Sequence, residues 1–233
     1  VEYAKDHGLY VSLNSEDASR TEYEFLREFA SKGKEVGADR LRICDTLGVL
    51  IPHSSKYVTK KIIHDIGIDV EIHTHNDYGL AIANALAAFE GGARWASTTI
   101  NGLGERAGNS SLEGIIMSLT KLYNLKLPFK INSLSEVSSY VEKASGIPVP
   151  FNQSIVGQNM FTHESGIHVD GVLKNPYTYE SFMPDEIGAS RNIVIGKHSG
   201  KHAVWDKLKK LGIETEKDDL LEIVELVKSQ SAN

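Results

Sequence analysis

The 233-residue sequence holds one cysteine, Cys44, so it cannot form an internal disulfide, and the position of that thiol in an apolar run marks a core residue. No apolar stretch approaches the roughly 20 residues of a membrane span, and no charged-then-apolar leader opens the chain, so a soluble, cytoplasmic protein without membrane partners is expected. The lysines are scattered and the formal net charge is −6, which leaves no basic stripe for a nucleic acid. No Gly-x-Gly-x-x-Gly follows the first expected strand, which argues against a dinucleotide site. Solenoid-spaced repeats and low-complexity runs are also missing. What is present is a 41% hydrophobic composition, enough for one large domain or for a domain with an appendage.

Residues 1–123 repeat a short β-branched or apolar run followed by a longer segment of helical period, the mark of βαβ units around a parallel sheet. Strands are expected near residues 9–13, 40–44, 70–75 and 95–100. Helices should follow at 21–36, closed by Gly37; after Pro52, with Ser54 or Ser55 as N-cap; at 80–90, closed by Gly91 and Gly92; and after Ser110 or Ser111 as N-cap. Four βα units do not close a barrel, and residues 1–8 read as the end of a preceding helix. The fold class expected is therefore α/β, the C-terminal half of a (β/α)8 TIM barrel, strands five to eight, with the N-terminal half absent. A helical linker at 124–147 and a small, mostly helical appended region at 148–233 should follow. Within these, helices are expected at 134–144, 199–211 and 217–229, and an irregular stretch at 148–191.

The chemistry concentrates at expected strand ends. In Glu71-Ile-His73-Thr-His75-Asn76-Asp77, alternate strand residues share a face, so the two imidazoles point together and can chelate one divalent ion. They sit where barrel enzymes place catalytic groups, and Asn76 and Asp77 are candidates to orient them. The competing reading is an ordinary pair of satisfied polar residues. Glu71, one layer deeper, reads as a structural neutraliser. The glycine-rich stretch 101–109 brings Asn109, whose amide oxygen is a hard ligand suited to Mg²⁺ or Mn²⁺. Its bland reading is a loop in which Glu105 and Arg106 pair with each other.

Polar clusters recur at Asn14-Ser15-Glu16-Asp17 and Asp45-Thr46-Leu47-Gly48, and clusters on successive βα loops converge on one pocket. Glu16 can act as acid or base near a cation, and Thr46 can hydrogen-bond a substrate carboxylate. Asp17 and Asp45 read as loop stabilisers. Between Phe161 and Gly171, two histidines and two acids lie among glycines. His168 suits proton transfer, with a buried structural histidine as the competing reading. Gly196-Lys-His-Ser-Gly200 reads as the start of a helix capped by Ser199, in preference to an anion-binding turn.

Three blocks, His73-Thr-His75-Asn-Asp, Gly102-Leu-Gly104-Glu-Arg-Ala-Gly-Asn109 and His163-Glu-Ser-Gly-Ile-His168-Val-Asp-Gly171, together resemble the homocitrate/2-isopropylmalate synthase family of metal-dependent Claisen condensation enzymes. The resemblance implies an acyltransferase that condenses acetyl-CoA with a 2-oxo acid. It places a divalent ion, Mg²⁺, Mn²⁺ or Zn²⁺, on His73 and His75 with Asn109 nearby. A further carboxylate ligand and an arginine that polarises the oxo group belong to the first strand, in the half expected to be absent or supplied as a separate chain. Glu16 matches an active-site glutamate, Thr46 the threonine that binds the oxo-acid carboxylate, and His168 a histidine lent to the neighbouring barrel in a homodimer.

Asp45-Thr-Leu-Gly-Val-Leu50, Glu16-Asp-Ala-Ser-Arg20 and Val169 are most similar to the nitrogen-fixation type of homocitrate synthase, and no regulatory domain follows before Asn233. Both features point to 2-oxoglutarate. Ser12 departs from the arginine of lysine-pathway homocitrate synthases. The alternatives are 3-methyl-2-oxobutanoate, giving 2-isopropylmalate, and a non-catalytic fragment or subunit. A hydroxymethylglutaryl-type lyase would carry a cysteine in the glycine loop, and this loop has none.

Overall fold

The alternating periods of the first half become alternating strands and helices in the computed structural model, which describes residues 1–196 and 199–230. A short helix α1 (Glu2–Asp6) precedes β1 (Ser12–Ser15), α2 (Tyr23–Glu35), β2 (Arg40–Asp45), α3 (Pro52–Ile66), β3 (Asp69–Thr74), α4 (Ala81–Glu90), β4 (Trp95–Ser97) and α5 (Leu112–Met117). The four strands form one parallel sheet in the order β1-β2-β3-β4. They belong to a unit spanning Val1–Leu127, and a second unit spans Pro128–Asn233.

Strand alternation divides the sheet into two unlike faces. Leu41, Ile43, Val70 and Ile72 form one face, each at most 1% exposed, and pack with Leu26 and Ala30 of α2, Ile62 of α3, and Ala85 and Ala88 of α4. Burying each such leucine, isoleucine or valine contributes about 1.5–3 kcal/mol, so this layer anchors the unit. The register Asn14↔Arg42, Arg42↔Glu71 and Glu71↔Trp95 lays polar and aromatic residues in one row on the other face. There the buried Glu71 carboxylate pairs with Arg40 and Arg42, each at 2.7 Å, and accepts the Ser12 hydroxyl at 3.3 Å. That arrangement agrees with its reading as a neutraliser.

Two local expectations are corrected. The first strand begins at Ser12: the Val11 amide donates to the Asp39 side chain at 2.6 Å in place of a ladder partner, and Leu9 and Tyr10 stay exposed. Neither Ser54 nor Ser55 caps α3. The helix starts at Pro52, whose missing N–H costs nothing in the first turn, and the buried Ser55 hydroxyl donates to the Asn84 carbonyl at 2.8 Å. Ser111 does cap α5, accepting the Gly114 amide at 3.1 Å.

The second unit contains α6 (Leu134–Ser145), β5 (Thr162–His163), α7 (Gly166–Lys174), β6 (Asn192–Ile193), α8 (Lys201–Lys210) and α9 (Lys217–Gln230). Val169 of α7, Ile193 of β6 and Ala203 of α8 share a small core, and Phe161 meets Phe182 edge to face at 5.4 Å. The buried Glu180 carboxylate accepts from Arg191 at 2.7 Å and bonds His163 Nε2 at 2.9 Å. Burial alone would raise this carboxyl, but the bonds from Arg191 and His163 outweigh it and hold the group below the usual carboxylate range.

The stretch 148–191 is therefore not wholly irregular, since α7 lies within it. Ser199 is not a cap either: α8 starts after Gly200 with no side-chain cap, and Ser199 Oγ accepts the Gly196 amide at 2.9 Å. Lys197 and His198 of that turn lie outside the described residues. Among the described residues, no helix is long and apolar enough to cross a membrane.

Candidate active site

β3 carries His73, and His75 follows one residue beyond its end, so both rings lie on the polar face, centroids 4.9 Å apart and planes at 80°. A β-bridge between His75 and Asn109 draws the glycine-rich loop against this pair. Asn109 Nδ2 donates to the Leu103 carbonyl at 3.2 Å, which leaves the amide oxygen uncommitted. The amide fits only because residue 104 is glycine, since a Cβ there would stand 2.3 Å from Nδ2.

Three buried atoms consequently have no hydrogen-bond partner among the described residues: His73 Nδ1, His75 Nδ1 and Asn109 Oδ1. An unsatisfied buried polar group costs about 1–3 kcal/mol, so three together mark a place where something else belongs. Burial, the neighbouring His75 and Arg42 all push the pKa of His73 below the ordinary histidine value, which favours the neutral, lone-pair-bearing ring a metal needs. Two imidazoles and an amide oxygen fit Mg²⁺, Mn²⁺ or Zn²⁺. Among the described residues, no group of three histidine, cysteine or acidic side chains is poised for a metal. The donor set is therefore partial.

The loop is braced from below. The Asn76 amide donates to the Gly108 carbonyl at 2.9 Å and the Ser110 amide to the Thr74 carbonyl at 3.2 Å, while the Thr74 and Ser110 hydroxyls meet at 2.6 Å. Asn76 and Asp77 do not orient the histidines as expected. Asn76 Oδ1 accepts the Ala81 amide at 3.2 Å, and Asp77 binds Arg106 at 2.8 and 3.0 Å, a contact that lowers the pKa of its carboxyl. Arg106 also donates to the Thr46 carbonyl at 2.6 Å, while Glu105 stands 4.0 Å away. One guanidinium thus ties together the loops after β2, β3 and β4, and the expected Glu105–Arg106 pair is secondary.

At the adjoining strand ends, Thr46 Oγ1 donates to Glu16 Oε1 at 3.0 Å and accepts the Asp17 amide at 2.8 Å. Glu16 is exposed, so the pair faces solvent. Asp17 holds Arg20, and the fully buried Asp45 accepts the amides of Val49 and Leu50, so both stabilise their loops. The Cys44 thiol is pushed up to about 11 by burial and is inert as a nucleophile.

In the second unit, His168 lies exposed on α7 with its ring 4.2 Å from that of Tyr179. Gly171 makes room for that aromatic, because a Cβ there would come within 2.6 Å of the Tyr179 ring. Sequence reasoning singled out neither Tyr179 nor the buried acid Glu113, and no spacing rule reveals either.

The pattern of the family described as HMGL-like matches residues 1–141, and that described as homocitrate synthase post-HMGL domain-like matches residues 155–233. The chain is 54% identical over 212 residues to 2-isopropylmalate synthase 2 of Caldanaerobacter subterraneus subsp. tengcongensis, covering 91% of this chain and 55% of that protein. It is 49% identical over 228 residues to homocitrate synthase AksA of Methanothermobacter thermautotrophicus, covering 98% of this chain and 58% of that protein. The chain thus spans little more than half the length of these curated relatives. The solved HMG-CoA lyase of Bacillus subtilis matches with a TM-score of 0.56 at 21% identity, over 64% of this chain and 54% of that one, a likeness of fold alone.

Proposed function

The chain belongs to the HMGL-like family, and from that premise we propose that the intact protein is an acyltransferase condensing acetyl-CoA with a 2-oxo acid. The four-stranded sheet is then the C-terminal half of a (β/α)8 barrel, with the remaining strands closing over its polar face. The observation that carries this reading is the meeting of His73, His75 and Asn109, with three unpartnered buried atoms, at the C-terminal strand ends where barrels place their chemistry.

These three residues would hold a divalent cation, Mg²⁺, Mn²⁺ or Zn²⁺, which when bound supplies charge stabilisation for the alkoxide developing on the oxo acid. Thr46 binds the oxo-acid carboxylate by turning its hydroxyl proton from Glu16 to the substrate, while the Asp17 amide keeps its oxygen in place. Glu16, freed of that donor, serves as acid or base beside the reacting centre. His168, exposed on α7, takes the proton from the thioester methyl group to give the nucleophilic carbon, and it does so in the barrel of the partner within a homodimer. Water then cleaves the thioester, releasing CoA and making the condensation favourable overall.

The oxo acid assigned is 2-oxoglutarate, giving homocitrate. The sequence blocks around Glu16 and Asp45 support it, as does 49% identity to a homocitrate synthase across 98% of the chain. The second reading, 3-methyl-2-oxobutanoate, is favoured by 54% identity to a 2-isopropylmalate synthase. Free CoA released by the intact protein from acetyl-CoA and a panel of oxo acids tests both. The highest kcat/KM is expected with 2-oxoglutarate; a preference for 3-methyl-2-oxobutanoate reassigns the product, and no CoA release with any oxo acid refutes the activity.

A further inference from the structure

The carboxyl of Glu113 plays no part in the chemistry above, and we propose that it is a positioning residue that holds the Asn109 amide toward the divalent cation. The inference rests on the metal reading of His73, His75 and Asn109.

Glu113 is 2% exposed in the first turn of α5. Its Oε2 accepts the Asn101 amide at 3.3 Å, and Asn101 has the left-handed conformation φ 60°, ψ 10° inside the tight turn Ile100–Gly102. The residues just after Asn101 secure Asn109 twice. Gly102 accepts its backbone N–H at 3.0 Å, and Leu103 accepts its side-chain Nδ2 at 3.2 Å. The carboxylate therefore pins the start of the turn, the turn fixes both the backbone and the amide plane of Asn109, and only Oδ1 is left over for a cation.

A second observation separates this from plain packing. Glu113 Oε1 is buried and has no partner among the described residues. A buried acid with an unsatisfied oxygen is unfavourable by itself, and an apolar side chain of the same size would be the better filler. A local rule broken in this way is expected where a site gains from it.

The test is Mn²⁺ affinity of the intact protein, read from the free-ion paramagnetic resonance signal, for Glu113→Met and Glu113→Gln, each alone and with Asn109→Ala. The two substituents have similar size and no charge, but only glutamine carries an oxygen to accept the Asn101 amide, the methionine sulfur being a weak acceptor. The methionine variant should bind Mn²⁺ about 10–100-fold more weakly, while glutamine stays within about threefold of the parent. In the Asn109→Ala background the methionine change should cost nothing further, because Glu113 acts through Asn109. Glu113→Ala takes its place if circular dichroism shows the methionine variant unfolded. Unchanged affinity in the non-accepting variant, equal loss in both variants, or a full additional loss without Asn109 overturns the proposal. If His73→Ala with His75→Ala leaves Mn²⁺ affinity intact, the metal reading itself fails; if that pair abolishes binding and Glu113 does not matter, only the role of Glu113 fails.

Discussion

Arg106 and Glu71 are both arginine–carboxylate centres, and their settings give them different consequences. Arg106 is partly exposed, so its bonds to Asp77 and the Thr46 carbonyl add little to stability, but they fix the loop that carries Thr46. Arg106→Ala should raise KM for the oxo acid about tenfold, about what losing the charge-assisted bond to the Thr46 carbonyl costs, while unfolding shifts by less than about 1 kcal/mol. Steady-state kinetics beside thermal unfolding checks the split, and a large loss of stability with unchanged KM would contradict it. Glu71 is buried between Arg40 and Arg42. Glu71→Ala strands two guanidiniums on the sheet face and should cost about 3 kcal/mol in denaturant unfolding.

Single residues were legible in the sequence when chemistry followed local spacing. His73 and His75 were, because strand period alone places both on one face. Glu16 with Thr46 was legible as two candidates but not as a pair, since 30 positions of chain separate the bonded atoms. Glu113 was not legible, because an acid in an amphipathic segment reads as a solvated side chain until burial is known.

Among the elements, the loop between β4 and α5 decides the site. Gly108 has φ +83°, and a Cβ would lie 2.0 Å from the Gly102 carbonyl, so this position admits no side chain. Gly108→Ala should reduce metal affinity at least about tenfold while the sheet stays folded, since the strain falls on the loop and not on the apolar layer. Mn²⁺ titration with circular dichroism on the same sample reads both, and retained affinity would show that the loop tolerates the change.

The strands β5 and β6 and the helix α7 eluded the sequence; α7 begins at Gly166 and contains Gly171, two residues that argue against a helix by propensity. Tertiary packing of Val169 and Val172, and the Tyr179 ring over Gly171, decide otherwise. The four βα units were legible because a parallel sheet imposes its two periods on long stretches of chain. Their ends were less so: β4 stops at Ser97 and the chain turns at Ile100–Gly102, where the period had suggested more strand.

The Glu180 centre ties the stability of the second unit to pH. The folded pKa of Glu180 lies below the ordinary glutamate value of 4.5, so its contribution is present above that pH and is lost as pH falls through the folded value. Glu180→Gln should flatten the loss of stability below pH 4.5 and lower stability at neutral pH. Urea unfolding between neutral and acid pH measures this, and parallel pH profiles for the parent and the variant would contradict it.

At the scale of the whole molecule, the sheet hides one apolar face under helices and turns a charged face away from them. Parallel sheets are normally covered on both sides, and in the barrel reading proposed above the remaining strands cover the second face. In the same reading the proposed donors, two imidazoles and one amide oxygen, take at least one further ligand from elsewhere in the barrel or from substrate. The most direct test is pulsed paramagnetic resonance of Mn²⁺ bound to the intact protein. Nitrogen modulation from two directly coordinated imidazoles is predicted, disappearing stepwise in His73→Ala and then in His73→Ala with His75→Ala. Bound Mn²⁺ without imidazole nitrogen coupling, or coupling that survives both substitutions, would contradict the assignment.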